Sequence, residues 1–209
     1  MSRFLTQNEY MKHFFRVLAS LLISLTATTL QAQHAEAAVA GHASAGSVHG
    51  MKGTSRLTLG LGHTHVSKGK VDGDTKWLAL ASWSFNYDYW LSDKLAIGLQ
   101  NDLVLESFII EDDKGEFIER KYPWAIVPVV IYKTGKHFSL LGGIGAEYSH
   151  GHTLALTRLG MEYGWHLPQN WEVGIAAVWD GKWNYYNSWG LAFTVSKLWP
   201  GKHKSSAHH

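Results

Sequence analysis

The chain has 209 residues, no cysteine and a net charge of +2 with histidine counted as neutral. This length fits one domain. The lack of cysteine excludes disulfides, thiol nucleophiles and CxxC metal sites, and the small charge argues against a nucleic-acid partner. Ten tryptophans, nine tyrosines and 21 glycines are unusual for this length, and aromatic side chains are enriched at membrane interfaces.

The first 32 residues are typical of a secretory signal peptide. Basic residues at Lys12, His13 and Arg16 precede an apolar stretch over 17–30, and the small residues at Ala32 or in 35–37 offer two alternative cleavage points. Met11 is an alternative initiator, because translation from it would give a shorter signal peptide with the same basic and apolar regions. Residues 33–54 are rich in Ala, Gly, Ser and His and predict a flexible tail, and residues 200–209 predict a second, His-containing one.

Between these tails, apolar and polar residues alternate with a period of two, which is the pattern of β-strands. The alternation predicts eight strands, at about 55–66, 76–90, 94–110, 117–132, 137–149, 153–166, 171–180 and 185–199. Tight turns at 91–93, 134–136 and 168–170 lie on one side of the sheet, and longer loops at 67–75 and 111–116 lie on the other. An even number of strands places both ends of the chain on the side of the tight turns.

The fourth predicted strand is the weakest of the eight. It is apolar on both faces and contains Pro123 and Pro128, which cannot donate to a β-ladder. In the third strand, Asn101 falls on the apolar face. We therefore expect a bulge or a local change of phase at both places.

The two faces of the strands differ in the size of their side chains. One face carries most of the large aromatic rings, whereas the other carries glycine, alanine, serine and scattered charges. The interior of an eight-stranded barrel is too narrow for so many rings. The large face therefore points outward, as it does when lipid surrounds a barrel.

The strand number, the unequal turns and loops, the aromatic strand ends and the last strand, which ends in Trp199, together resemble the small eight-stranded outer-membrane barrels of the OmpA/OmpX-type group. The resemblance covers residues 55–199 and implies an all-β, eight-stranded antiparallel up-and-down transmembrane β-barrel. It implies location in the bacterial outer membrane with both termini in the periplasm, contact with outer-membrane lipids and lipopolysaccharide, and recognition of the last strand by the barrel assembly machinery. The ten residues after Trp199 depart from the group's pattern. We expect a monomer.

The outward face predicts an aromatic girdle at the two membrane interfaces. Its members are Trp77, Tyr87, Tyr89, Trp124, Tyr132, Trp165, Trp171, Trp179, Trp189 and Trp199.

The inward face predicts a network of charges that fills the lumen, because unpaired charges there would be too costly. Its members are Arg56, Asp102, Glu106, Glu147, Arg158, Glu162, Glu172 and Asp180. The alternative is a narrow pore lined by acids, suggested by the excess of carboxylates over arginines, which Lys121 offsets in part.

Thirteen histidines suggest a second alternative, weak binding of zinc, copper or nickel. The candidate ligands are His63, His65, His150, His152, His203, His208 and His209. We predict no tightly bound cofactor and no catalytic residue. A lipid-modifying enzyme would need Ser149 and Glu147 with His150 or His152, but neighbouring residues on one strand point to opposite faces. The sequence thus favours a non-catalytic envelope or surface-interaction protein.

Overall fold

The computed structural model describes residues 50–112 and 114–201 of the chain. They form ten strands: β1 (Ser55–Val71), β2 (Asp74–Trp90), β3 (Leu95–Val104), β4 (Ser107–Glu111), β5 (Phe117–Lys121), β6 (Trp124–Lys133), β7 (Phe138–Ser149), β8 (His152–Leu167), β9 (Trp171–Lys182) and β10 (Asn187–Trp199). A single 3₁₀ turn, Pro168–Asn170, joins β8 to β9. The predicted signal peptide, most of the first predicted tail and residues 202–209 lie outside the described residues.

Eight of the strands close into a barrel in which every neighbouring pair is antiparallel. The order is β1-β2-β3-β6-β7-β8-β9-β10, and β10 pairs back onto β1 from Ser55↔Trp199 to Val66↔Ser188. Each strand follows its neighbour in the chain except for the short β4–β5 hairpin, which leaves the wall between β3 and β6. The predicted all-β, eight-stranded antiparallel up-and-down barrel is confirmed.

The two ends of the barrel differ. One end, here the terminal end, carries residues 50–54, the described C-terminal residues 200–201 and the three tight turns. The other, the hairpin end, carries the β1–β2 turn, the β4–β5 hairpin, the β7–β8 turn and the β9–β10 loop. The described part of the chain contains no helix long and apolar enough to span a membrane.

The predicted loop at 67–75 is wrong, because β1 and β2 continue beyond the barrel as a hairpin. The strands are joined by Asp72 and Gly73, which both adopt positive φ, 52° and 87°. Positive φ at both central residues is the geometry of a two-residue hairpin turn, and Asp-Gly is a sequence that favours it.

The change of phase predicted in the fourth strand occurs at Pro123, since Arg120 is buried on one side of it and Ala125 on the other. The bulge or change of phase predicted at Asn101 is absent, because the β2–β3 register is the same on both sides of it. Pro123 lies between β5 and β6, directly after Tyr122, whose φ is 45°. The β6–β7 ladder has no pair at Pro128. The β2–β3 ladder has none at Asn101, whose Nδ2 instead donates to the Phe85 carbonyl at 2.9 Å. A shift of register does occur in the β1–β2 pair, between Val66 and Gly69.

The outward wall is apolar around the whole circumference. Phe193 is 75% exposed, and Ile144, Leu61 and Leu159 are all more than half exposed. The inward side is not uniformly polar. One apolar cluster, chiefly from β6, lines the lumen from the terminal end to the level of Glu147, which pairs with Ala125 (Met51, Trp90, Ala96, Ala125, Val127, Val129, Ile131, Leu141, Leu156, Leu198). This explains why the fourth predicted strand is apolar on both faces.

Residues 50–54 are packed into the structure, although the sequence predicts that they belong to a flexible tail. Met51 and Thr54 are buried. Gly53 donates to the Trp90 carbonyl at 2.8 Å, and Asp93 Oδ1 accepts from the Met51 N–H at 2.8 Å. This segment and Trp90 close the terminal end of the lumen.

Candidate functional site

The lumen contains three groups of buried charged side chains, arranged one above another along the barrel axis. Nearest the terminal end is the Arg56 network. Arg56 Nε donates to Asp88 Oδ2 at 2.9 Å, Nη1 to Glu172 Oε1 at 3.1 Å and Nη2 to Glu162 Oε2 at 2.6 Å. His166 Nδ1 lies 2.9 Å from the second oxygen of Glu172. One guanidinium thus ties together β1, β2, β8 and β9.

The Arg158 network lies in the middle of the lumen. Arg158 donates to Asp180 through two parallel hydrogen bonds, Nε to Oδ1 and Nη2 to Oδ2, both 2.7 Å long. Its Nη1 donates to Gln100 Oε1 at 3.1 Å and also to Asp102. The two-pronged contact suits the planar guanidinium. Because the partners come from β3 and β9, the network spans the lumen.

The third group, the Glu147 cluster, lies under the hairpin end. Arg120 of β5 is fully buried and donates from Nη2 to Glu147 Oε1 at 2.6 Å. The Tyr186 hydroxyl donates to the same oxygen at 2.6 Å, and Lys182 Nζ lies 3.4 Å from Glu147 Oε2. Lys182 also lies 3.7 Å from Asp180 Oδ2, which connects this cluster to the Arg158 network.

The β4–β5 hairpin crosses the mouth of the barrel above these groups. Ile110 of β4 pairs with Gly69 of β1, and Lys70 Nζ forms an ion pair with Glu111 Oε2 at 2.5 Å. Phe108 contacts Tyr186 edge to face at 6.0 Å. The apolar residues at this level form the mouth cluster (Val66, Leu80, Val104, Phe108, Ile110, Leu154, Tyr186). They come from β1, β2, β3, β4, β8 and the β9–β10 loop, so residues from several strands pack together across the opening.

The free volume left in the lumen is small. A cavity of about 50 Å³ lies beside the Arg158 network, and one of about 20 Å³ lies beside the Arg56 network. Cavities of this size hold a few water molecules.

Seven of the eight residues predicted for the lumen network face the lumen and take part in these three groups. Glu106 does not, and its predicted inward position is wrong. Its side chain is exposed, and its carboxylate accepts the Ala81 N–H at 3.0 Å, where the β2–β3 ladder ends. Lys121, which the sequence suggests as an offset to the acids, is also exposed and pairs with Glu119 at 3.2 Å.

Five lumen residues are missing from the sequence prediction: Asp88, Gln100, Arg120, Lys182 and Tyr186. Asp88 and Gln100 have the same phase as the predicted inward residues. Lys182 follows Asp180 by one period of β9, two residues beyond the predicted end of that strand. The phase of Arg120 is hidden by the break at Pro123. Tyr186 falls inside the predicted eighth strand with the inward phase of Ser188 and Ser196, although the structure places it in the β9–β10 loop, directly before β10.

The ten residues predicted for the aromatic girdle form two rows on the outer wall. At the terminal end are Tyr87, Tyr89, Tyr132, Trp165, Trp171 and Trp199, and toward the hairpin end are Trp77, Trp124, Trp179 and Trp189. Nine are exposed by 40–59%, and Trp179 is half-buried.

The predicted metal ligands are not brought together. His63 and His65 point outward from β1, and His150 and His152 are exposed at the β7–β8 turn. His203, His208 and His209 lie outside the described residues. In the part of the chain that the structure describes, no three His, Asp or Glu side chains are grouped closely enough to hold a metal ion. Weak metal binding by the exposed pairs or the tails stays a prediction.

The residues considered for a lipid-modifying enzyme have other partners. Ser149 Oγ hydrogen-bonds to the backbone N and O of Lys121 at 2.8 and 3.2 Å. Glu147 is buried against Arg120. Among the contacts described for these residues, none joins Ser149 to His150 or His152, so a nucleophile–base pair is not assembled.

No protein-family model matches the chain, and no curated protein is similar to it in sequence. Solved structures similar to it include the attachment invasion locus protein Ail of Yersinia pestis, with 16% identity, a TM-score of 0.44 and coverage of 70% of this chain and 99% of that one. Neisserial surface protein A has 11% identity, a TM-score of 0.46 and coverage of 70% and 99%. The outer membrane protein OprG of Pseudomonas aeruginosa has 11% identity, a TM-score of 0.44 and coverage of 72% and 98%.

Proposed function

We propose that this chain is a non-catalytic outer-membrane barrel with a closed lumen. Its role is to anchor the hairpin end as a rigid interaction surface on the outside of the cell. The observation that carries the proposal is the closure of the lumen along its length. From the terminal end to the hairpin end it is filled by Met51 and Trp90, the Arg56 network, the Arg158 network, the Glu147 cluster and the mouth cluster. A solute path would have to break several buried ion pairs at once.

The outer wall supports the membrane location. Soluble proteins rarely expose a contiguous apolar patch of more than a few hundred Å², whereas here apolar side chains are exposed around the whole barrel, with aromatic rows above and below. Such a band flanked by aromatic girdles is the exterior of an outer-membrane barrel. The partners that follow are outer-membrane lipids, including lipopolysaccharide, and the barrel assembly machinery.

The hairpin end is the surface that we propose to face outward, with the termini in the periplasm. The β1–β2 and β4–β5 hairpins extend beyond the wall and are fastened together by the Lys70–Glu111 ion pair. Beside them, an open groove of about 490 Å³ is lined by residues that include Trp179, Trp183 and Asn184. Two hairpins held together in this way, with an open groove beside them, form a surface suited to contacts with other molecules outside the cell.

Planar-bilayer recording of the purified protein tests the closed lumen. We expect no conductance steps at any voltage, while a known porin added to the same chamber conducts. Resistance of the folded band to unheated SDS, checked on the same sample, establishes that the barrel is intact. Reproducible conductance steps from intact barrels would contradict the proposal and favour the narrow pore.

The absence of cysteine from the chain makes its orientation directly measurable. Lys114→Cys lies in the β4–β5 turn at the hairpin end, and Lys136→Cys lies in a turn at the terminal end. In whole cells, a membrane-impermeant maleimide is expected to label the first variant and to label the second only after the outer membrane is permeabilised. The reverse pattern would place the termini outside.

A further inference from the structure

The exposed charges at the terminal end are almost all positive. Among the described residues this end carries four exposed or half-buried lysines, at positions 52, 94, 136 and 197, whereas Lys133 points inward over the Trp90 ring. The exposed carboxylate that accompanies them is Asp93, which already accepts the backbone N–H groups of Met51 and Lys52. The acids of the Arg56 network lie inside the barrel and are paired there.

The hairpin end has the opposite character. Its exposed or half-buried lysines are outnumbered by carboxylates, at positions 72, 74, 106, 111, 112, 116 and 119. Ion pairs join Lys70 to Glu111, Lys76 to Asp74 and Lys121 to Glu119, at 2.5–3.2 Å. In contrast, none of the described lysines at the terminal end has a carboxylate as an ion-pair partner. The two ends of the barrel therefore differ both in the sign of their exposed charge and in whether their lysines form ion pairs with carboxylates.

The position of Lys197 shows where these positive charges lie relative to the aromatic row on the outer wall. Its Cα has the outward phase of β10, on the wall that also carries Val195 and Trp199. The side chain runs over the Trp171 ring, with Nζ 4.8 Å from the ring centroid, and donates to the Gln169 carbonyl at 2.6 Å. A lysine stem that lies along an apolar wall and carries its ammonium to the edge is the arrangement found at membrane interfaces. The charge thus lies level with the aromatic row.

We propose that the lysines of the terminal end bind the headgroups of anionic phospholipids in the leaflet around that end, with Lys94, Lys136 and Lys197 as the principal contacts. The proposal rests on the membrane location proposed above. Ammonium groups at headgroup depth that have no carboxylate partner attract anionic lipid, and the aromatic row that includes Trp171 holds the barrel at the depth where this contact forms. The acidic hairpin end lacks this attraction.

Quenching of tryptophan fluorescence by brominated lipids tests the proposal on protein purified from outer membranes. The protein is reconstituted in vesicles of phosphatidylcholine that contain a fraction of either brominated phosphatidylglycerol or brominated phosphatidylcholine. We expect brominated phosphatidylglycerol to quench more strongly at equal content, and the difference to shrink as salt is raised. The triple variant K94Q/K136Q/K197Q is expected to lower the relative affinity for phosphatidylglycerol about a hundredfold, since each lysine near an anionic surface contributes roughly fivefold and the three contributions multiply.

A matched control removes the same charge from the other end. The variant K76Q/K114Q/K121Q is expected to keep the wild-type preference. An equal loss in both triple variants would overturn the proposal, as would an equal affinity of the wild type for the two lipids, or a preference that survives in K94Q/K136Q/K197Q. Binding of a soluble anionic polymer without any lipid preference would also overturn it. Quenching by brominated phosphatidylcholine reports insertion separately, so failure of the lipid preference is distinguishable from failure of the membrane location.

Discussion

Replacement of Arg158 by methionine tests whether the lumen networks stabilise the barrel. Methionine retains the length of the side chain but leaves Asp180 and Asp102 without their cation. Removal of one partner from a buried ion pair costs about 3–5 kcal/mol. Because Lys182 remains 3.7 Å from Asp180 and Asp102 keeps a side-chain exposure of 24%, we expect the lower part of this range, about 3 kcal/mol, which is more than a hundredfold in the folding equilibrium.

The free energy of unfolding is measured by urea titration of the barrel in lipid vesicles, followed by tryptophan fluorescence and extrapolated to zero denaturant. The control is Lys121→Met, which removes an exposed cation whose ion pair is worth less than about 1 kcal/mol. A second variant, R158M/D102N/D180N, removes the stranded charges and is expected to recover at least half of the loss. A loss below about 1 kcal/mol for Arg158→Met, or one no larger than that of Lys121→Met, would refute the reasoning.

Three further outcomes follow from contacts at the hairpin end and at the seam of the barrel. Tyr186→Phe removes a buried hydrogen bond to a carboxylate and is expected to lower the free energy of unfolding by about 1.5–3 kcal/mol; a neutral result in the same titration would mean that the bond does not stabilise the mouth. Gly62→Ala places a methyl carbon 2.0 Å from a backbone carbonyl oxygen of β10 and is expected to cost about 1–3 kcal/mol, whereas Gly135→Ala, which faces open space, is the neutral control; equal stability of the two variants would contradict the close approach. The hydrogen bond from Lys70 lowers the pKa of Glu111, so its contribution to hairpin docking is complete above the ordinary glutamate pKa and is lost as the pH falls through the lowered value; hydrogen exchange in β4–β5 should therefore accelerate in acid, and Lys70→Gln should abolish that acceleration.

The strands and the orientation of their faces could be predicted from the sequence because both depend on the alternation of side-chain size along one strand. The large rings of β2 and the small residues between them determine which side meets the lumen. This signal is local, so it does not depend on knowing the neighbouring strands. The ends of elements were less predictable, since β1 continues to Val71 through a polar segment that was predicted as a loop. The Asp72-Gly73 pair was the signal that would have identified the hairpin.

The partners of the lumen charges could not be derived in the same way. The phase of Arg158 predicts that it points inward, but not that it reaches across to β3 and β9, because such contacts depend on strand order and stagger around the closed barrel. The β4–β5 hairpin was less accessible still. Pro123 interrupts the alternation close to Arg120. The inward orientation of Arg120, which contacts Glu147 at the mouth, therefore cannot be predicted from the alternation of the residues that follow.

The pairing of β1 with β10 has a consequence for how the protein is made. The first strand of the wall cannot find its second neighbour until the last strand, which ends at Trp199, has been synthesised. Until then β1 and the last strand already made each have one edge of backbone N–H and C=O groups without hydrogen-bond partners. Such edges can pair with other chains, and lipid cannot hydrogen-bond to them. A chain truncated before β10 would therefore keep two unpaired edge strands, and on the membrane location proposed above it would have to stay outside the bilayer until β10 is complete.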